Sequence, residues 1–400
     1  MELEEQLCLR LARSGSSPET ESRTGELLAA SLDWDRVMRL VRLHEILPLV
    51  YCNLKQLGFS GVPEPVRAEM TSLFQRNALR NELLREELRK LLLQLADAGV
   101  STIPLKGIPL AESLYGDAAL RVCADIDILV PPQKFEAAFR ALADVGYEAA
   151  FSRPQLVTLT GRYGKDCGLM RQDGSTWYPV QLHAGLIWGG PPERSVSNEI
   201  WTEARATTFH GAPTCAFSAE WEFLYLAIHA ARHGLSPLKF LLDIDRICRR
   251  EDVNWEAVRQ KAARLGWEQT VQSTLSACAT LLETPIPPAL QTTEAHNPPQ
   301  SIGAGQNRRA KVAPSLPDAE HSSLQILKET LFSIRLLPSP WQKLRFIASR
   351  TFIPTTADFR LLPLPESLFS LYYGLRPLRL IMTVAGWIVS YPLGRRGVRS

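Results

Sequence analysis

Asp125-Ile126-Asp127-Ile128-Leu129-Val130 is the stretch on which the fold turns. Acidic and apolar residues alternate with period two, the signature of a strand with two unlike faces. On a strand, residues two apart project to the same side. Asp125 and Asp127 therefore stand side by side, and Ile126 and Ile128 point into a core. Two carboxylates at that spacing repel each other unless a cation lies between them. Oxygen ligands alone favour magnesium or manganese over zinc. An isolated Asp-x-Asp is more often just a solvated acidic face, so the flanking sequence has to decide.

Upstream, Ser101 to Leu105 reads as a short strand. Lys106-Gly107 reads as a turn, and Ile108 to Tyr115 as a helix closed by Gly116-Asp117. Such a turn presents backbone N–H groups and a helix N-terminus, which suit a phosphate, and Lys106 adds a positive charge. Arg121, four residues before Asp125, is placed to reach the same mouth. Downstream, Pro131-Pro132 stops the strand, and Phe135 to Val145 returns to helical periodicity with Gly146 as its cap. From Gly164 to Leu186 we read a hairpin around Asp173-Gly174, with Trp177 to His183 as the outgoing strand. Pro179 predicts an edge position or a bulge for that strand.

Farther out the chain is helical. Residues 1–98 form an N-terminal helical region, with apolar repeats at Leu27 to Leu43 and Leu83 to Leu95. Residues 99–217 hold the α/β unit. Residues 218–283 form a second helical region, opened by Ser218 as N-cap with Glu220 and Glu222 in its first turn. Residues 284–322 are rich in Pro, Gly, Ser, Thr, Asn and Gln and read as a disordered linker. Residues 323–400 form a basic helical tail. The fold class is α+β.

The chain has 400 residues, 45% hydrophobic, with 45 basic and 42 acidic residues and a formal net charge of +3. That balance argues against stable nucleic-acid binding. The seven dispersed cysteines fit a reduced, cytoplasmic protein better than a disulfide framework. The acidic N-terminus, with Glu2, Glu4 and Glu5, is no signal peptide. The apolar stretch Leu380 to Leu393 is shorter than the roughly 20 residues a membrane span needs. It reads first as a buried helix with basic ends, and second as an interfacial helix giving the protein a peripheral membrane contact. Trp177, Trp188, Trp201 and Trp221 read as core or interface packing.

Taken in order, Leu105-Lys106-Gly107, Leu114-Tyr115-Gly116-Asp117, Arg121, Asp125 to Val130 and Gly146-Tyr147 resemble the uncharacterised bacterial nucleotidyltransferase family, part of the polymerase-β-like nucleotidyltransferase superfamily. Val180-Gln181-Leu182-His183 resembles that family's third motif. Leu224 to Gly234, with Asp243 after it, is similar to its helical part. The resemblance implies a nucleotidyltransferase-like mixed sheet with flanking helices. It also implies metal-dependent transfer of a nucleoside monophosphate from a nucleoside triphosphate, ATP foremost, to an unidentified acceptor: a small molecule, sugar, peptide or protein. By the same resemblance Asp125 and Asp127 hold the metals, and Lys106, Gly107 and Arg121 meet the phosphates.

One position departs from the family pattern. The third motif usually carries an acidic residue just before the Leu-His pair, and this chain has Gln181 there. An amide offers a carbonyl oxygen but no charge and little basicity. His183 shares the strand face of Gln181 and is a candidate ligand or base. The alternative to an enzyme is thus a nucleotide-binding or scaffold protein with an impaired site. His229 and His233, four apart on a helix, read either as packing residues or as substrate contacts, with Asp243 and Asp245 on the following helix in reach of them.

Overall fold

A computed structural model describes residues 1–13, 18–149, 157, 166–186, 194–291, 330–331, 334 and 339–390. Trp188 and residues 292–322 of the expected linker lie outside the described residues.

The four predicted strands, with a short fifth that the sequence reading did not include (Glu148–Ala149), form one mixed sheet. Its strands are β1 (Ile103–Pro104), β2 (Ile126–Leu129), β3 (Glu148–Ala149), β4 (Asp166–Asp173) and β5 (Thr176–His183), in the order β1-β2-β5-β4-β3. β2 and β5 are parallel, with Asp127 paired to Gln181 and Leu129 to His183. The other neighbours are antiparallel. The alternation in β2 does what the sequence requires. Ile126 and Ile128, with Val180 and Leu182 of β5, are buried in one core, and the Asp127 face is turned the other way.

Pro179 does not mark an edge. β5 lies between β2 and β4, with Pro179 opposite Met170. The β2 ladder begins one residue later, at Val180, so the missing proline N–H falls where β2 has not yet joined. A second hairpin, β6 (Arg205–Phe209) and β7 (Ala212–Ala216), was not evident from the sequence. His210 and Gly211 carry it round with φ of 45° and 83°, the double positive φ of a tight hairpin turn. Cys215 N–H donates to the Thr102 carbonyl at 2.8 Å, tying this hairpin to the start of β1.

The helices are α1 (Leu3–Ala12), α2 (Pro18–Ala29), α3 (Trp34–Leu43), α4 (Leu47–Gln56), α5 (Glu64–Asp97), α6 (Ile108–Tyr115), α7 (Phe135–Asp144), α8 (Arg194–Glu203), α9 (Ala219–Arg232), α10 (Lys239–Cys248), α11 (Trp255–Leu265) and α12 (Glu268–Leu282). Local chemistry sets their ends. The side chains of Asp33, Ser218 and Asn254 accept from the backbone N–H groups of Arg36, Trp221 and Ala257, capping α3, α9 and α11. The 34 residues of α5 span about 51 Å at 1.5 Å per residue. Its later half, Leu84, Leu88, Leu91, Leu92 and Leu95, packs on the sheet, and Met70 of its earlier half belongs to a different core.

That other core joins segments far apart in sequence. α1, α3 and α4 pack with α9 to α12 around one apolar cluster that also receives Leu105, Leu110 and Leu129 from the sheet region. Trp221 is its largest fully buried side chain, and Trp201 packs against it, half-buried. Trp177 is half-buried.

The expected linker starts later than composition suggests. Residues 284–291 pack against the helices: Leu290 is buried, its carbonyl accepts from Gln272, and the Thr284 hydroxyl donates to Asp245 at 2.7 Å. In the tail, α13 (Pro340–Phe352), α14 (Thr356–Leu361) and α15 (Tyr372–Ser390) follow. The preferred reading of residues 380–393 as a buried helix fails for its described part. The helix begins at Tyr372, and Ile381 and Met382 are exposed, since nothing described packs over them. No helix among the described residues is long and apolar enough to cross a membrane.

Candidate functional site

The site is assembled where the turn after β1, the start of β2, the end of β5 and the middle of α9 meet. Gly107 turns the chain into α6 with φ 78° and ψ −130°, a conformation that side chains other than glycine rarely adopt. Lys106 beside it sends its ammonium to the strand mouth, 3.0 Å from Asp127 Oδ2 and 3.5 Å from Asp125 Oδ1. His183 reaches across the parallel ladder and places Nε2 3.0 Å from Asp127 Oδ1. The two acids, the lysine and the histidine thus form one cluster.

Charge and burial treat the two acids differently. Burial raises Asp125, and the neighbouring Asp127 carboxylate raises it further, more than Lys106 and Lys239 lower it. Burial would also raise Asp127, but Lys106 and His183 overcome it and hold its carboxyl well below the usual range. Burial would lower Lys106, and the two carboxylates outweigh it, keeping the amine charged. The arrangement therefore favours the ionised form of Asp127.

Asp127 Oδ2 is buried with no hydrogen-bond partner beyond the ion pair it forms with the Lys106 ammonium at 3.0 Å. Two carboxylates with such an oxygen fit a hard divalent cation whose remaining ligands come from phosphate and water. Among the described residues, no three His, Cys, Asp or Glu side chains are grouped to hold an ion. The described residues alone therefore complete no such shell.

Gln181 stands opposite Asp127 in the ladder and leans over Gly168 of β4. A Cβ built on Gly168 would come within 3.3 Å of the Gln181 Nε2. Asp166, on the same strand, pairs with His183 and leaves the sheet on the Asp127 face. That acid could not be read as a neighbour from sequence, because its register depends on the hairpin. Three more residues near the acids were also missed. Tyr225 on α9 is buried, and both acids raise its phenol. Lys239 and Arg80 bear electrostatically on Asp125. Lys239 donates to the Val122 carbonyl at 3.1 Å and pairs with Glu45, and Arg80 donates to the Ala124 carbonyl at 3.5 Å. All three arrive through tertiary packing and carry no local signal.

Arg121 does not face the mouth. It is buried and bound through Nε and Nη2 to both oxygens of Asp243, at 2.9 to 3.3 Å. Tyr115 donates to the same carboxylate at 2.8 Å. Asp243 thus ties α10 to the residues before β2 and does not meet the histidines. Asp245 pairs with Arg249 and accepts from Thr284. His229 and His233 lie tilted against each other, ring centres 4.7 Å apart, within a ring cluster that includes Phe240 and Tyr225. Burial, with Lys106 and His233 behind it, drives His229 well below the ordinary histidine value. Its Nε2 is buried without a hydrogen-bond partner.

A family model described as uncharacterised nucleotidyltransferase matches residues 30–283, more than half of the chain. The chain belongs to the uncharacterised nucleotidyltransferase family. The match covers the whole cluster from Lys106 to His183, as well as α9 and α10. No curated protein matches. Among solved structures, an antigenic nucleotidyltransferase-like protein from Paracoccidioides brasiliensis matches 51% of this chain and 93% of its own at 15% identity, with a TM-score of 0.33. A likeness that loose transfers nothing to this member of the family.

Proposed function

We propose that this family member moves a nucleoside monophosphate from a nucleoside triphosphate, ATP foremost, to an acceptor hydroxyl on a small molecule, sugar, peptide or protein. The observation that carries the reading is the Asp125–Asp127 pair at the mouth of the Lys106-Gly107 turn, with one buried carboxylate oxygen lacking a hydrogen bond.

Asp125 and Asp127 would hold Mg2+ or Mn2+. The bound ion would draw charge from the phosphates and stabilise departing pyrophosphate. In the reaction the acceptor oxygen bonds to the α-phosphorus, the bond from that phosphorus to the β-phosphate oxygen breaks, and the hydroxyl proton passes to a base. His183, fixed by Asp127, is the base this chain offers beside the acids. Gly107 lets the backbone approach the phosphates, and Lys106 supplies the positive charge there. Neutral His229, within electrostatic reach of Lys106 and with a buried ring nitrogen that has no hydrogen-bond partner, is the acceptor contact we assign to the helical region.

A second reading is favoured by Gln181. With an amide in the family's acidic position, the protein could bind nucleotide as a scaffold with little turnover. Equilibrium binding of ATP, with and without Mg2+, tests what the two readings share. Metal-dependent binding that disappears in Asp127→Asn is expected. Binding indifferent to both the ion and Asp127 would remove the carboxylate pair from the site.

A further inference from the structure

The tail beyond residue 339 carries a surface that the catalytic reading does not use. α13, α14 and α15 pack together through Phe346, Ile353, Phe359 and Tyr372. Asp358 is buried between Arg376 and Arg379, at 2.9 and 2.5 Å, and Thr355 accepts from Arg376 as well. These contacts cover one side of the helices. The other side is apolar and open. Of the sixteen exposed large apolar side chains among the described residues, eleven lie between Trp341 and Met382, at 43% to 65% exposure. Scattered exposed leucines need no explanation, but concentration in one short segment does.

The spacing makes the exposure ordered. On α13, Trp341, Leu344 and Phe352 fall at i, i+3 and i+11, a single stripe, and the buried Phe346 and Ser349 lie on another face. On α15, Leu378, Ile381 and Met382 fall at i, i+3 and i+4, one turn-spaced patch, and the buried Tyr372 and Arg376 lie on another face. The charge is equally one-sided. Residues 339–400 hold nine Lys and Arg against two acids, Asp358 and Glu366, in a chain that is otherwise close to balanced. Asp358 is consumed by its own arginines. Lys343 and the exposed Arg345 lie on α13 itself, among the apolar residues.

We propose that this tail docks on an anionic lipid bilayer, with the apolar stripes of α13 and α15 entering the interface and the basic residues meeting acidic headgroups. Apolar residues along helices with cationic neighbours, each too short or too polar to span, are the composition that lies in an interface plane. A protein groove would explain the apolar stripes but not the excess of positive charge. The proposal is independent of nucleotidyl transfer.

The test is co-sedimentation of the full chain with vesicles of phosphatidylcholine alone and of equal parts phosphatidylcholine and phosphatidylserine. The protein is expected to pellet with the mixed vesicles and not with the neutral ones, and added salt should release it. Arg345→Gln should weaken binding about fivefold, the worth of one basic residue near an anionic surface. The double change Leu344→Asp and Leu378→Asp should abolish binding with circular dichroism unchanged. Leu79→Asp, at an equally exposed leucine on α5, should leave it intact. No binding to either vesicle, or equal binding to both, overturns the proposal. So does a dimer in solution that Leu344→Asp dissolves, because the stripe would then be covered by a second copy.

Discussion

Replacing Arg121 by Met separates a structural role from a phosphate-binding one. The guanidinium and the Asp243 carboxylate are 3% and 0% exposed, and the contacts between them run from 2.9 to 3.3 Å. Arg121→Met leaves that carboxylate buried with Tyr115 as its remaining hydrogen-bond donor among the described residues. Stranding one partner of a buried pair costs about 3–5 kcal/mol, and Asp243→Leu should cost the same by stranding the arginine. The double variant Arg121→Met/Asp243→Leu strands no charge, only the Tyr115 hydroxyl, and should be within about 2 kcal/mol of the wild type. The two single changes sum to about 6–10 kcal/mol, so the coupling energy should be at least about 4 kcal/mol. Urea unfolding followed by near-ultraviolet circular dichroism measures all four proteins, and an ATP titration of the folded single variants accompanies it. Single variants that lose less than about 1 kcal/mol, or a double variant that loses the full sum, would refute the reasoning. An Arg121→Met protein with unchanged stability and weakened ATP affinity would return Arg121 to the phosphates.

The other predictions concern the site. Gly107→Ala forces a β-carbon into φ 78°, so it should lose about 1–2 kcal/mol of stability and weaken nucleotide binding, measured by urea titration and calorimetry. Gln181→Asp should raise turnover if the site is an enzyme with a weakened third position; a variant that binds nucleotide but stays inert would favour the scaffold reading. His229 is held neutral, its folded value lying below the ordinary 6.5. The unfolded chain then takes up a proton as pH falls below about 6.5 while the folded one does not. The His229 contribution to stability is therefore fully present above that pH and is lost on acidification towards the folded value. The stability difference between wild type and His229→Gln should shrink in that window, and a difference constant from pH 8 to 5 would contradict the burial argument.

Much of the sheet was legible because its signals are local. The Asp-Ile-Asp-Ile alternation fixed both the strand and the direction of its side chains, and Gly107 and Gly116 marked the ends of α6. The hairpin from Asp166 to His183 was readable at its turn. What failed depends on partners distant in sequence. Arg121 is charged and close to Asp125 in sequence, so it read as a phosphate ligand, yet its carboxylate lies 122 residues away on α10. Pro179 was misread because a proline tells only that one N–H is missing, not which neighbour has yet to join. Tyr225, Lys239 and Arg80 reach the acids through packing that no periodicity encodes. The exposed faces of α13 and α15 resemble core faces in sequence, since apolar spacing does not reveal whether anything covers it.

The most direct test of the central claim uses ATP labelled on the α-phosphate and, in parallel, on the γ-phosphate. Each is incubated with Mg2+ or Mn2+ in extract of the source organism, with wild type beside Asp125→Ala/Asp127→Ala. With the wild type, α-label should move to an acceptor and γ-label should leave as pyrophosphate; the double variant should do neither. Transfer of γ-label to the acceptor, or α-transfer that survives loss of both acids, would contradict it.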